Sequence, residues 1–366
     1  MGSIGRSPEE WTVAILFIGG YFVCILGFPL LTAASFLGAI LSYLVRYIAV
    51  IVKLMAKLPF AALYTRNGYA LLWLILVYLV FALTYFARDK SKKYSPVLPA
   101  ALSVVSLVSV FFWTDLSMRR DGGTANILDV GSGQCIVLTQ GEHAAVIDCG
   151  SKGTTQQAGS EASYLLHSLG RTKIDVLLLT HIHSDHADGA ARLLNRVKVK
   201  TLLLPANAAE NADEALLREI LHAAKQNGTE ILYIDCDTRL SAGDIGLNIY
   251  APFPKGDKNE RGLMLSAKVG GRTMLITGDV STTTEQKLVL SQPLEDTDIL
   301  LVGHHGSKYS TCEALLQEAA PEISVISVGY NSYGHPTDEV LARLRDAGTQ
   351  ILRTDESGNI QIICGD

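Results

Sequence analysis

The sequence predicts a layered α/β domain preceded by transmembrane α-helices, with the boundary near residue 120. Three observations carry this. No Asp, Glu, Lys or Arg occurs from Trp11 to Val45. Beyond about residue 120 the charge is mixed, and strand-like and helix-like periods alternate. In that second region, His and Asp residues stand where apolar strands end. The net charge of −5 averages over two unlike regions and describes neither.

Crossing the hydrocarbon core as a helix takes roughly 20 apolar residues, and the stretches at about 11–33, 68–87 and 95–114 meet that requirement. The first lacks the short apolar segment and small-residue cleavage site of a signal peptide, and further spans follow it. Between the first two spans, Arg46, Lys53 and Lys57 recur at helical spacing among Ile48, Val50, Ile51, Val52, Leu54 and Met55. This reads as a basic amphipathic helix at the membrane interface or as a further, poorly hydrophobic span. Region 1–120 is therefore expected to be multi-pass in a cell membrane, with the lipid bilayer as its partner. The loop with Arg88, Lys90, Lys92 and Lys93 is expected on the cytoplasmic side, which puts the following domain outside, although Arg119 and Arg120 act against that bias.

Asp121-Gly122-Gly123-Thr124 is a polar linker, and the domain 121–366 begins there. Strands are expected at 125–130, 135–139 and 144–148, around a Gly131-Ser132-Gly133 turn. A helix at 158–169, a strand at 176–180, a helix at 186–195, a strand at 200–204, a helix at 211–227 and a strand at 231–234 follow. Strands at 246–251, 263–269, 272–277, 298–303 and 323–328 and helices at 283–291, 311–319 and 337–347 complete the domain. No short-period repeat marks a solenoid. Six scattered cysteines, without CxxC spacing, read as small buried hydrophobes, with Cys135 and Cys149 near one another if their strands pair.

The segment His181-Ile182-His183-Ser184-Asp185-His186 packs three imidazoles and a carboxylate into six residues, a donor set suited to divalent zinc or manganese. On an extended loop, side chains two apart share a side, so His181 and His183 are placed to hold one ion while Asp185 and His186 reach a second. Two ions about 3.5–4 Å apart form the clamp of many hydrolases. Such a pair needs a bridging carboxylate, and Asp279, after the apolar run Met274–Gly278, is the candidate. One of His304 and His305, at the end of another apolar run, should complete the second ion's shell; the other, with Ser307, supports it or faces substrate. Asp148 either orients a ligand histidine through its ring N–H or caps a turn. His335 is a candidate contact to a phosphate or leaving group, or a surface histidine. Asp185, Asp279 and His335 are thus the expected catalytic residues.

Asp129-Val130-Gly131-Ser132-Gly133, Ile147-Asp148-Cys149-Gly150, the His181–His186 segment, Thr277-Gly278-Asp279, Gly303-His304-His305-Gly306-Ser307 and Asn331-Ser332-Tyr333-Gly334-His335-Pro336 together resemble the metallo-β-lactamase superfamily. The nearest resemblance is to the carboxy-terminal part of the ComEC family of competence DNA-uptake channels. It covers about 126–366, with the helices before 120 similar to the end of that family's transmembrane region. The resemblance implies an αββα sandwich, two divalent ions, and a nuclease or phosphodiesterase acting on DNA during uptake alongside other competence-machinery proteins. Family channels are longer, so the chain reads as a fragment or a short variant. The family has a carboxylate where this chain has Gln134. Superfamily enzymes often carry a further histidine between the clustered segment and the Asp279 position, and here only His222, inside an expected helix, lies there.

Two rivals stand beside this reading. One keeps the fold and hydrolyses a small lactone or thioester; the other is a non-catalytic DNA-transport module with a vestigial metal site, favoured by Gln134. No stripe of Lys and Arg with interleaved aromatics marks a nucleic-acid groove, so DNA enters only through the resemblance.

Overall fold

A computed structural model describes residues 19–25, 27, 30–55, 69–88, 93–119, 122–154, 157–211, 213–253 and 259–365. The chain divides into two units, Met1–Leu63 and Tyr64–Asp366.

In the first unit the helix Leu31–Met55 runs unbroken for 25 residues. Residues 11–18, 26, 28 and 29 of the expected span at 11–33 lie outside the described residues; 19–25 are helical, and the expected end at 33 is corrected, because a separate helix starts at Leu31. The basic segment around Arg46 is not an element of its own. It is the second half of that helix, which has no proline to break it. Leu31–Val52 is long and apolar enough to cross a membrane. Lys57 lies outside the described residues.

The second unit opens with the helices Tyr69–Phe86 and Val97–Arg119, which pack together. The Trp73 indole N–H donates to the Ser103 carbonyl at 3.0 Å, tying one to the other. Val97–Thr114 meets the length and hydropathy of a span, whereas the apolar part of the first helix, Leu71–Phe86, is shorter. Leu71, Leu72, Ile75, Val104, Val105 and Phe111 project outward, away from other protein.

The remainder is built on two seven-stranded sheets. The first consists of β1 (Thr124–Ile127), β2 (Cys135–Gln140), β3 (His143–Cys149), β4 (Lys173–Leu178), β5 (Lys198–Pro205), β6 (Glu230–Ile234) and β14 (Ile360–Ile363), in the order β14-β1-β2-β3-β4-β5-β6. The second consists of β7 (Thr238–Ala242), β8 (Ile245–Tyr250), β9 (Met264–Val269), β10 (Arg272–Ile276), β11 (Ile299–Leu301), β12 (Ile323–Ile326) and β13 (Gln350–Arg353), in the order β13-β12-β11-β10-β9-β8-β7. Pairing is parallel from β3 to β6 and from β10 to β13, and antiparallel elsewhere.

Both faces of each sheet are buried, which explains why the strands read as continuous apolar runs. On β2 and β3, Ile136, Leu138 and Ile147 enter the core between the sheets, where they join Leu247, Leu265 and Met274 of the second sheet. Their alternates Val137 and Val146 enter an outer core with Leu166, Leu193 and Ile220, from the helices Ala158–Ser168, Ala190–Leu194 and Glu214–Asn227. A third core lies under the helices Thr282–Ser291, Glu313–Ala319 and Asp338–Asp346. The layers are thus helix, sheet, sheet, helix, the αββα sandwich that the resemblance implies.

The expected helix at 186–195 is two short helices, Ser184–Ala187 and Ala190–Leu194, divided at Gly189. A Cβ at Gly189 would stand 2.4 Å from the Gly159 nitrogen and 2.8 Å from the Cys149 carbonyl, so only glycine lets the chain cross there. Cys135 and Cys149 are register partners across β2 and β3, both buried and unjoined. Cys149 is pushed well up by its hydrogen bond to Cys135 and by burial, a thiol held out of nucleophilic chemistry.

Candidate metal centre

The chemical residues leave the carboxyl ends of parallel strands in both sheets. Asp148 stands at the end of β3; His181 follows β4, Asp279 follows β10, and His304 and His305 follow β11. This is where open α/β sheets present ligands, because neighbouring strands stop together and their loops diverge around a shared space. Gly150 allows the closest approach: a Cβ there would fall 2.2 Å from the His186 nitrogen, so the exit of β3 passes directly beneath the histidine-rich loop.

Within the site, one atom each from His181, His186 and Asp279 lie within 4.8 Å of one another. Asp279 is central. Its Oδ1 is 3.0 Å from His186 Nε2, while Oδ2 is 3.9 Å from His181 Nε2 and 3.7 Å from His304 Nε2. The His181 ring stands edge-on to His183 at 4.7 Å and tilted against His186 at 4.2 Å. The rings of His186 and His305 are 5.3 Å apart.

Four buried atoms here make no well-aligned hydrogen bond: Nε2 of His181, of His186 and of His305, and Oδ1 of Asp279, His186 Nε2 and Asp279 Oδ1 facing each other as an ion pair at 3.0 Å. Leaving a buried polar atom unsatisfied costs about 1–3 kcal/mol, so four turned to one small volume mark a place built for a shared partner. Unprotonated imidazole nitrogens and carboxylate oxygens are ligands for divalent cations, and the donor set fits them. Burial, then the neighbouring His186, holds His181 well below its ordinary value, and burial holds His305 low; both keep the lone pair that a metal takes. Burial opposes a proton on His186, but the Asp279 and Asp148 carboxylates outweigh it and raise that imidazole well up. Burial would lift Asp279, yet His186, His305 and His181 hold it far below the usual carboxylate range.

Asp148 sits behind the loop, fully buried. Its Oδ2 accepts from His186 Nδ1 at 2.7 Å, from Gln134 Nε2 at 2.8 Å and from the Thr180 hydroxyl at 2.8 Å; Oδ1 accepts the Thr180 amide at 2.7 Å. Asp148 thus meets both the His186 ring and the Thr180 backbone. His305 Nδ1 donates to the Ser327 carbonyl at 2.9 Å, which fixes its tautomer with Nε2 toward the site. Asp148, His304 and His305 all have positive φ, at 54°, 49° and 54°. Side chains rarely accept that backbone, and here it is concentrated where the histidines are aimed.

His304 is a third exposed and packs edge-on to the half-buried His335, ring centres 5.8 Å apart. The Ser307 hydroxyl accepts the Tyr309 amide, serving its own loop rather than an imidazole. His222 lies on the helix Glu214–Asn227, bonded to Gln226 and away from this cluster.

Asp185, His304, His305 and His335 line a cavity of about 190 Å³ together with the buried Ser132 and the exposed Lys152 and Tyr333. Lys152 Nζ is 3.3 Å from Asp185 Oδ2. Lys152 did not stand out in the sequence, and Tyr333 entered only within the motif that ends in His335-Pro336. Glu285 carried no signal at all. Fully buried, it accepts the amides of Thr311 and Cys312, both at 2.8 Å, and so braces the loop that presents the two histidines.

Burial lifts the Glu285 carboxyl from 4.5 to about 7. A raised carboxyl binds its proton more tightly in the folded chain, so this contribution to stability is complete below pH 4.5 and is lost as pH rises through 7. The wild type should therefore lose about 3 kcal/mol between those limits relative to Glu285→Gln, which lacks the titration. Thermal unfolding of both full chains in detergent across that range checks it; parallel curves would contradict it.

The family model described as the metallo-beta-lactamase superfamily matches residues 128–330. ComE operon protein 3 of Bacillus subtilis is 36% identical over 200 residues, covering 54% of this chain and 25% of that protein. Competence protein ComA of Neisseria gonorrhoeae is 28% identical over 269 residues, 72% of this chain and 35% of that one. Recombination protein 2 of Haemophilus influenzae is 29% identical over 241 residues, 64% and 28%. The chain spans between a quarter and about a third of the length of these relatives, which are of the ComEC family. With its strand-end histidines and acids in place and more than half its residues matched by the family model, the chain belongs to the metallo-beta-lactamase superfamily.

Proposed function

We propose that residues 121–366 form a metal-dependent phosphodiesterase that cuts a DNA strand during uptake at a cell membrane, anchored by the helices before residue 120. The observation that carries this reading is the convergence of buried ligand atoms of His181, His186, His305 and Asp279 beside a small cavity that Lys152 also lines. Bound there, two divalent ions, zinc or manganese, would supply an activated water and offset charge on a phosphodiester.

The protein's share of the work is to hold and orient. His181 and His183 would hold one ion, with His304, which shares the Asp279 Oδ2 side with His181, in place of a further imidazole. Asp185, His186 and His305 would hold the other, and Asp279 would contribute to both. Asp148 fixes the His186 ring and Ser327 the His305 ring. His335, at the cavity wall, faces the substrate.

Two features favour a phosphodiester over a lactone or thioester: among the described residues the cavity is lined without an aliphatic side chain to receive an acyl chain, and its lining includes the cation Lys152. DNA, the other competence proteins and the extracytoplasmic side enter by way of the relatives' names and the charge of the 88–93 loop. Outward-facing apolar side chains on the helices support the membrane anchor.

The full chain in detergent, given single-stranded DNA and a generic lactone side by side with Mn²⁺ or Zn²⁺, should carry about two ions per chain and cut only the DNA. Hydrolysis of the lactone alone would move the assignment to carbonyl chemistry. Equal rates for wild type and Asp185→Ala would leave a non-catalytic DNA-transport module.

A further inference from the structure

We infer that Lys152 and Tyr333 are the substrate grip of this pocket, Lys152 taking a phosphate oxygen of the bound strand and Tyr333 stacking on an unpaired base beside it. The inference rests on the phosphodiesterase reading above and names the groups that hold its substrate.

Size comes first. Cavities that engulf a small ligand usually measure about 300–1,000 Å³. This one measures about 190 Å³, and ions would fill part of it. A phosphodiester with part of a sugar fits; a whole nucleotide, base included, does not. Any base on the strand must therefore rest outside, on the rim.

Tyr333 is an aromatic surface at that rim, 64% exposed. It is not loosely held. Asn331 Oδ1 accepts the amides of Tyr333 at 3.1 Å and His335 at 3.0 Å, while Asn331 Nδ2 donates to the carbonyls of Gly329 at 2.9 Å and His335 at 2.8 Å. One side of the loop is thus stitched together so that its exposed ring stays put, with the His335 ring 5.9 Å away and tilted by 32°. A large apolar ring kept in water on a fixed loop is the usual form of a base-stacking platform, and paired bases inside a duplex have no free face to offer it.

Lys152 supplies the charge. Its amide donates to Val130 at 3.3 Å and its carbonyl accepts from Ser132 at 2.8 Å, so the backbone beneath it is fixed. Its Nζ lies 5.2 Å from the centre of the Tyr333 ring and 3.3 Å from Asp185. Among the described residues lining the cavity it is the one permanent cation, within reach of both Asp185 and the Tyr333 ring. A phosphate arriving at the pocket meets this ammonium first.

The test uses the full chain in detergent, a fluorescent single-stranded oligonucleotide and a base-free strand of the same length. Binding is read by anisotropy in EDTA, where no turnover occurs, and cleavage is read separately with Mn²⁺. Tyr333→Leu should weaken binding of the base-bearing strand about tenfold and leave the base-free strand unchanged, with Tyr333→Phe restoring the wild-type value. Lys152→Gln should weaken both strands alike and reduce the salt dependence by about one phosphate contact. Tyr333→Leu acting on neither strand or on both, or Lys152→Gln acting on neither, overturns the grip. A wild type that binds with the expected pattern but never cuts refutes the hydrolase and keeps the grip; cutting without the pattern refutes the grip alone.

Discussion

Replacing Asp279 with Asn is expected to lower turnover of a phosphodiester about 10³-fold and to remove about one ion per chain. The reason is that Asp279 has its two oxygens facing different imidazoles, Oδ1 at 3.0 Å from His186 and Oδ2 at 3.7 and 3.9 Å from His304 and His181. An amide of the same shape keeps one oxygen and turns an NH₂ toward the other side, where it repels a cation. Losing one of two ions forfeits several kcal/mol of charge stabilisation, and about 4 kcal/mol corresponds to three powers of ten in rate. Metal content and turnover measured on the same preparation decide the matter: an Asp279→Asn variant retaining both ions and a rate within about tenfold of wild type would deny Asp279 the bridging position.

The sequence exposed those parts of the site that are local. Six consecutive residues contain His181, His183, Asp185 and His186, and Asp279, His304 and His305 each end a visible apolar run, so strand placement was enough to bring them into view. What stayed hidden depends on pairing between distant segments. Gln134 faces Asp148 only because β2 and β3 are neighbours. Glu285 looks like an ordinary acid in the first turn of a helix, and nothing near it announces that it will be sealed against Thr311 and Cys312, 26 and 27 positions away. The same holds for the elements. β7 and β13 are edge strands with mixed exposure, and β14 pairs with β1 from the opposite end of the domain, so none of the three carried the unbroken apolar run that revealed the central strands. Arg46 and Lys53 interrupt the hydropathy of the long helix Leu31–Met55 and so divide it in sequence, but charge does not end a helix as proline does.

Gln134, which in sequence looks like a loss, has a consistent place in this geometry. Its amide nitrogen donates to Asp148 Oδ2, and its backbone N–H donates to the Asp185 carbonyl at 2.9 Å, joining the support of His186 to the loop that bears it. A carboxylate in the same position would put two acids within hydrogen-bond distance, and one would have to keep a proton. Glutamine leaves Asp148 free to accept from all its partners.

From this follows the second large effect, for Asp148→Asn. Asparagine tolerates the left-handed backbone, so the 54° φ of this position is preserved, and the change tests charge and hydrogen bonding rather than strain. The amide accepts through one oxygen where the carboxylate accepted four bonds through two, and its NH₂ points a donor at Thr180, Gln134 or His186, each already donating. His186 then loses the partner that fixed its ring and tautomer. Removing such a partner from a metal ligand typically costs 10–100-fold in affinity, and breaking a buried charged pair costs about 3–5 kcal/mol of stability. Activity of the variant should therefore be low at limiting Mn²⁺ or Zn²⁺ and recover toward wild type as the metal is raised, with the metal titration displaced by about one to two powers of ten. Recovery separates Asp148 from Asp279, because excess metal repairs a poorly oriented ligand but cannot replace a bridge. An unshifted titration, or a defect that saturating metal leaves untouched, would mean that the 2.7 Å contact to His186 has no part in holding the ion.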